Sequence, residues 1–339
     1  MRILRVILAF AALAAALPAR AADLTPFYRG KTVQIIVSSP VGGGYDAMSR
    51  VISRHLPRHI PGQPTVIVMN MPGAGGIAAT NHLYSRAAKD GTVIGGVQNN
   101  TPFEPLLGTA QATYDPTKFN WLGSPSVETG IVAVRHTVPV NSIDDLKRRE
   151  VLMGSSGANS TPSFYARLIN ATLGTKMKLI VGYPGQTEAL NATERGELDG
   201  YPSIFYSSIM TTKPDWVRDK KLKFLLQYGP HKEAKLAGVP FVLDLVTKPA
   251  DRALLQTGFA ALALGRPYLL PPGVPAERVA LMRKALADTF ADPRFIAEAT
   301  RIGLAPENPQ TGEQLQLILS QTYRAAPEVI DRLRKLVHG

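Results

Sequence analysis

Two loops carry the residue types best suited to holding an anion. The first, Ser38-Ser-Pro-Val-Gly-Gly-Gly-Tyr-Asp46, lies between a β-branched run and an amphipathic stretch. Glycines let a backbone turn tightly and leave its N–H groups uncovered. A helix start immediately after adds unpaired N–H donors and the positive end of a dipole. Together these suit a carboxylate or a phosphate. The competing reading is an ordinary tight turn capped by Asp46. The loop matches neither a Walker A loop nor a G-x-G-x-x-G fingerprint. The second loop, Gly154-Ser-Ser-Gly-Ala-Asn-Ser-Thr161, holds the same position between strand and helix and is dense in hydroxyls. Its donors suit a second anionic group, although Ser and Thr also serve simply as helix caps. Asn70-Met-Pro-Gly-Ala-Gly-Gly76 and Val181-Gly-Tyr-Pro-Gly-Gln186 are turn-forming segments able to reach the same region. Asn99 and Asn100 follow a third β run and offer amide donors, against the plainer reading of a solvated loop.

Catalytic chemistry finds no support of this kind. Gly154-Ser-Ser-Gly lacks the spacing of the G-x-S-x-G elbow of a serine hydrolase. The six histidines include one i, i+4 pair, His55 and His59, with Pro57 between them. No H-E-x-x-H occurs, and there is no cysteine to help hold zinc. No metal, no cofactor and no catalytic residue are expected. The chain reads as a binding protein, not an enzyme.

Alternating strands and helices must position those loops. Val33–Val37, Val66–Val68 and Val93–Val97 read as strands. Helical stretches follow, with Met48, Val51, Ile52 and Leu56 on one face of the first and Ile77–Ala88 as the second. A second unit begins near Trp121, with strands at 131–134, 151–153, 178–181 and 222–226. Helices are expected from Thr161-Pro162, with Thr161 as N-cap and Pro162 at the first helical position, and over 187–195. The last third reads as helices over 275–290, 293–302, 311–323 and 328–337. Strand, loop and helix in repetition imply parallel α/β sheets. With no long polar linker, the expectation is two α/β lobes with a ligand cleft at the carboxyl ends of their strands. Lobe 1 is assigned to 22–124 plus 232–339, and lobe 2 to 125–231.

The amino terminus reads as a secretory signal. Arg2 and Arg5 precede an apolar run, Ile7–Leu17, and Ala19-Arg-Ala21 offers small residues for cleavage after Ala21. The run is about half of the roughly 20 residues a membrane-spanning helix requires. The longest later apolar stretch, Phe259–Leu270, is interrupted by Gly265, Arg266 and Pro267. Export without cysteine fits a periplasm. The formal charge is +12, and the three arginines of the signal segment leave +9 on the mature chain. Lys and Arg are scattered, with short clusters such as Lys147-Arg-Arg149, so no nucleic-acid interface is expected. The excess is read as a general bias toward anions.

The four glycine-rich segments, in this order behind a signal segment, resemble the tripartite tricarboxylate transporter substrate-binding family, also called Bug receptors. The resemblance runs from about Tyr28 to the end. It rests on Pro40, Gly42, Gly43 and Asp46; on Asn70 and Pro72–Gly76; on Asp90-Gly91; on Gly154–Gly157 running into Ser160-Thr161; and on Tyr183, Gly185, Gly196 and Asp199. The chain departs from the family pattern at Ser38, Ser39, Val41 and Tyr45, all within the loop presumed to touch the ligand.

The resemblance implies a type II Venus-flytrap receptor closing on a carboxylated solute. Residue by residue it carries the binding role to Gly43, Gly44, Tyr45, Ser155, Ser156, Ser160 and Thr161, then to Tyr183 and Gly185, with Ser38 and Ser39 beside them. Asp199 reads as structural. The implied partners are a small organic anion and the membrane permease subunits of a tripartite transporter, served by a periplasmic monomer. A receptor presenting its ligand to a sensor kinase is the alternative use, and a secreted serine hydrolase the remote one.

Overall fold

The computed structural model describes residues 23–338 except Asn159. The signal segment and its cleavage site lie outside the described residues. Two separate sheets organise the chain. The first has six strands, β1 (Thr32–Val37), β2 (Thr65–Asn70), β3 (Val93–Gly96), β4 (Asn120–Ser124), β10 (Tyr268–Leu270) and β11 (Gln310–Thr311), in the order β11-β4-β10-β3-β1-β2. The second has five, β5 (Gly130–Arg135), β6 (Val151–Ser155), β7 (Met177–Val181), β8 (Gly200–Phe205) and β9 (Leu222–Tyr228), in the order β7-β6-β8-β5-β9.

Both sheets are mixed, where the sequence pattern implied parallel ones. The strand–helix–strand units are parallel, as expected: β1 with β2 and β3, and β6 with β7 and β8. The chain then crosses between sheets and re-enters in the opposite direction. So β10 runs antiparallel to β3 and β4, and β5 runs antiparallel to β8 and β9.

Helix α1 (Gly44–His55) shows why sequence becomes structure here. Met48, Val51, Ile52 and His55 recur at helical spacing and are all buried. Met48, Val51 and Ile52 pack with Val33, Ile35 and Val37 of β1, while Ile36 faces a second core with α2 (Ile77–Ser85). Burying each such apolar side chain contributes about 1.5–3 kcal/mol. The second sheet is likewise covered on both faces. α3 (Thr161–Leu173) lies on one side, and α4 (Gln186–Arg195) with α5 (Tyr206–Thr212) on the other. β8 is buried along its whole length even though Pro202 interrupts it. The ladder with β5 shifts register at Ile131/Ala133, opposite Pro202 and Ser203, and this bulge accommodates the missing N–H.

The C-terminal third does not stay with the first sheet. Leu254 and Leu255 of α6 (Pro249–Gly258), with Ile330 and Leu333 of α9 (Pro327–His338), join Leu168 and Met153 in the core of the second sheet. Between them in sequence, α7 (Ala276–Ala291) packs on the first sheet through Met282, Leu286 and Phe290, and α8 (Gly312–Tyr323) through Leu315 and Leu319. The assignment of all of 232–339 to one lobe is therefore corrected at α6 and α9. An amphipathic stripe specifies that a helix must be buried, not which sheet buries it.

His55 and His59 are fixed at the outer end of α1. His55 lies 2.6 Å from Glu298 and His59 3.2 Å from Asp292, so their spacing ties α1 to the helix Pro293–Arg301. Among the described residues, no three His, Asp or Glu side chains gather in a group able to hold a metal ion, and no helix is long and apolar enough to cross a membrane.

Candidate functional site

The carboxyl ends of β1 and β3 in one sheet face those of β6, β7 and β8 in the other across a cleft. Its deeper part encloses about 780 Å³. A neighbouring part of about 910 Å³ runs beneath the Gly73–Gly76 loop. Both volumes include space open to solvent.

Three helices of ten residues or more start at this cleft. α1 starts after Gly43, α3 after Ser160 and α4 after Gly185, and all three cap residues are extended. In none does a side chain cap the first turn. The first N–H groups of a helix have no intrahelical partner, so each start leaves donors and positive dipole at the cleft. The first loop is held open for this by Asp46, whose carboxylate faces away from the cleft. It accepts from the Gly42 N–H at 3.0 Å and from Asn70 Nδ2 at 3.0 Å, and pairs with Arg50 at 2.9 Å. Burial alone pushes the Asp46 pKa up, but those hydrogen bonds outweigh it and hold the carboxyl below its ordinary value. Gly42 turns with φ +90°, a conformation that favours glycine.

Of the residues singled out from the sequence, Ser39, Gly43, Gly44, Tyr45, Asn99, Ser156, Thr161 and Gly185 line the deeper cleft. Ser38 and Ser160 line the neighbouring part, and Ser156 borders both. Ser38 is fully buried and its hydroxyl accepts from the Gln98 N–H at 2.8 Å, fixing β1 against the turn after β3. Ser155 is buried among the hydroxyls of Ser160 and Ser163, each 2.7 Å away, and braces the second loop from behind. Asn100 sits beside the cleft and bonds Glu104. Tyr183 packs half-buried with Ala189, Leu190 and Tyr201.

Thr161 is not the N-cap of α3. Ser160 holds that place, and Pro162 is the second helical residue. The Thr161 hydroxyl is thereby freed to donate to Asn100 Oδ1 at 2.8 Å, a hydrogen bond across the cleft from one lobe to the other.

Tyr45, one of the departures from the family pattern, forms part of the cleft floor. Its hydroxyl accepts from the Asn99 N–H at 3.0 Å, and burial pushes that hydroxyl well above its ordinary pKa. Beneath Tyr45 and Phe205 lies Arg266, 1% exposed, with its guanidinium 5.7 and 5.5 Å from the two ring centres. Arg266 pairs with buried Glu128 and donates to Ser207 and Ser208 of α5, each at 2.9 Å. It thus joins the segment entering β10 to the β4–β5 crossover and to the second sheet. Gly44 also lies against it: a Cβ there would lie 2.8 Å from Arg266 Nη2 and 2.4 Å from Ser208 Oγ.

Sequence reasoning missed Gln98, Gln186, Glu188, Ser203, Phe205 and Ser208, which also line the cleft. Gln186 and Glu188 were within reach, since they open the helix after Tyr183-Pro-Gly185. Ser203 and Phe205 were hidden because Pro202 argued against a central strand.

With the geometry established, comparison with known proteins is informative. The family model described as the tripartite tricarboxylate transporter family receptor matches residues 48–334. A protein encoded in the gbd 5′ region of Cupriavidus necator is 24% identical over 330 residues, covering 94% of this chain and 92% of its own. BugT of Bordetella pertussis is 40% identical over 67 residues, 20% of each chain. Among solved structures, the periplasmic binding protein BugD superposes with a TM-score of 0.69 at 20% identity, covering 91% of this chain and 98% of its own. MatC of Rhodopseudomonas palustris, solved with malate, gives 0.69 at 18% identity, covering 91% and 99%. These two show a shared fold.

Proposed function

Because the chain belongs to the tripartite tricarboxylate transporter family of receptors, we propose that its interlobe cleft captures a small carboxylate outside the cytoplasmic membrane and delivers it to permease subunits. The observation that carries this reading is the convergence of three uncapped helix starts on one cleft. N–H groups aimed at a carboxylate need no titratable partner and form charge-assisted hydrogen bonds. Gly43, Gly44 and Tyr45 on one lobe, and Ser156, Thr161 and the start of α4 on the other, are the groups assigned to the carboxylate. The Thr161–Asn100 hydrogen bond supports closure of the lobes around it. The malate bound to MatC and the adipate bound to another R. palustris relative of the same fold favour a carboxylate in this cleft too. The family is one of binding receptors, and the chain is read as a binding protein with no catalytic step, working as a monomer.

The test is a thermal-shift screen of the mature protein against mono-, di- and tricarboxylates and amino acids. A ligand present at 100 times its Kd adds about 2.7 kcal/mol of stability. In a chain of this size that raises the Tm by a few degrees. Stabilisation by a carboxylate class, absent with neutral analogues of the same skeleton, is the expected result. A protein stabilised only by neutral or cationic solutes would refute the reading.

A further inference from the structure

The side chains lining both parts of the cleft include no Lys, Arg or His among the described residues, despite the chain's large excess of cations. The cation nearest its floor, Arg266, already has its charge matched by Glu128. One charged side chain does line the deeper part, and it is an acid: Glu188, the third residue of α4. Its side chain is exposed and makes no hydrogen bond or ion pair among the described residues.

A second, independent feature also lacks a donor. Asn99 is fully buried, and its orientation is set by Nδ2 donating to the Ala261 carbonyl at 2.9 Å. Its Oδ1 is buried without a hydrogen-bond partner, and Asn99 borders the same cavity. A buried acceptor left unpaired is costly, and Oδ1 can only accept.

We infer that the solute is an amino carboxylate, whose carboxylate takes the helix starts while its ammonium answers the Glu188 carboxylate and the Asn99 carbonyl oxygen. The inference rests on reading the cleft as a carboxylate site and specifies which carboxylate. A dicarboxylate would bring a second negative charge into a cleft whose side-chain charge is already negative, where like charges repel. A zwitterion brings the missing donors and cancels the acid.

The experiment is calorimetric titration of the full mature chain with series matched in length from three to six carbons. Each ω-amino acid is compared with the dicarboxylate and the unsubstituted monocarboxylate of the same length, and the α-amino acids are run beside them. The expected result is an amino carboxylate binding at least tenfold tighter than its amine-free counterparts. Glu188→Gln should shrink that preference to within about threefold, and Glu188→Lys should reverse it toward the dicarboxylate. Glu188 also sits where an acid favours the helix start. Loss of that role alone would lower the Tm of the unliganded protein and leave the preference intact, which would overturn the assignment to Glu188. Tighter binding of a dicarboxylate to the wild type would overturn the inference while leaving the carboxylate site standing. Silence across every series would overturn both.

Discussion

Gly43→Leu separates binding from folding more cleanly than any other change in the cleft. Gly43 has φ −88° and ψ 172°, extended backbone open to any residue, and a Cβ added there meets no heavy atom within 4 Å. The first carbon of the leucine side chain therefore enters open space in the cleft, without backbone strain. Loss of glycine from the unfolded ensemble even favours folding by about 0.4–1 kcal/mol. The unliganded Tm is expected to stay within a few degrees of wild type. Binding is a different matter, because the side chain covers the first-turn N–H groups of α1. Losing two charge-assisted hydrogen bonds, each about 1.5–3 kcal/mol, removes about 3–6 kcal/mol. At 1.4 kcal/mol per decade, affinity falls roughly 10²- to 10⁴-fold. The assay is calorimetry with the best carboxylate from the thermal screen, alongside a melt of each apo protein. Gly44→Ala is the contrasting variant. Its Cβ collides with Ser208 and Arg266, so stability should drop by about 1–3 kcal/mol as well. A Gly43→Leu protein that melts normally and binds with unchanged affinity would refute the assignment of this loop.

Other outcomes follow from the same geometry. Arg266→Met leaves Glu128 buried without its partner and should cost about 3–5 kcal/mol in chemical denaturation; an effect under 1 kcal/mol would show that the pair is not buried in solution. Thr161→Val removes the hydrogen bond to Asn100, so small-angle scattering of the apo protein should show a larger radius of gyration than wild type, with apo stability changed by less than about 1.5 kcal/mol; identical scattering would mean the bond does not bias closure. Acid should destabilise the fold through carboxylates held below their ordinary values: Asp292 by Arg58 and the Arg294 N–H, and Asp46 and Glu298 by hydrogen bonds that outweigh burial. Groups depressed in the folded state contribute fully above their unfolded values near 4 and lose that contribution as pH falls below. The Tm should therefore drop steeply below about pH 4; a Tm that is flat down to pH 3 would contradict these pairings.

How much of this was legible beforehand differs between elements for physical reasons. The strand–loop–helix units of each sheet were readable because β-branched runs and helical stripes meet at glycine-rich turns, as at Val37–Gly44. The loops themselves were found for the same reason, since their glycines and hydroxyls are local signals. What escaped was set by tertiary context. β8 carries Pro202, and only a bulge in β8 itself, where Pro202 and Ser203 oppose the single residue Val132 of β5, makes that tolerable at the centre of a sheet. The three residues of β10 are too few for a period to show. The helices α6 and α9 are amphipathic, and nothing local says that they pack on the second sheet. Thr161 has the chemistry of a cap but spends its hydroxyl on Asn100, a residue 61 positions away. Net charge was no guide to the lining. The excess of Lys and Arg gave only a general bias toward anions, whereas among the described residues the charged side chain lining the deeper cleft is an acid.

The most direct test of the central claim is the structure of the mature protein crystallised with the carboxylate that stabilises it most. The account predicts carboxylate oxygens within 2.7–3.2 Å of first-turn N–H groups of α1 and of donors from Ser156, the Thr161 N–H or the start of α4. A ligand seated elsewhere, such as the crevice behind the crossover between Glu128 and Glu307, with the cleft left to water, would contradict it.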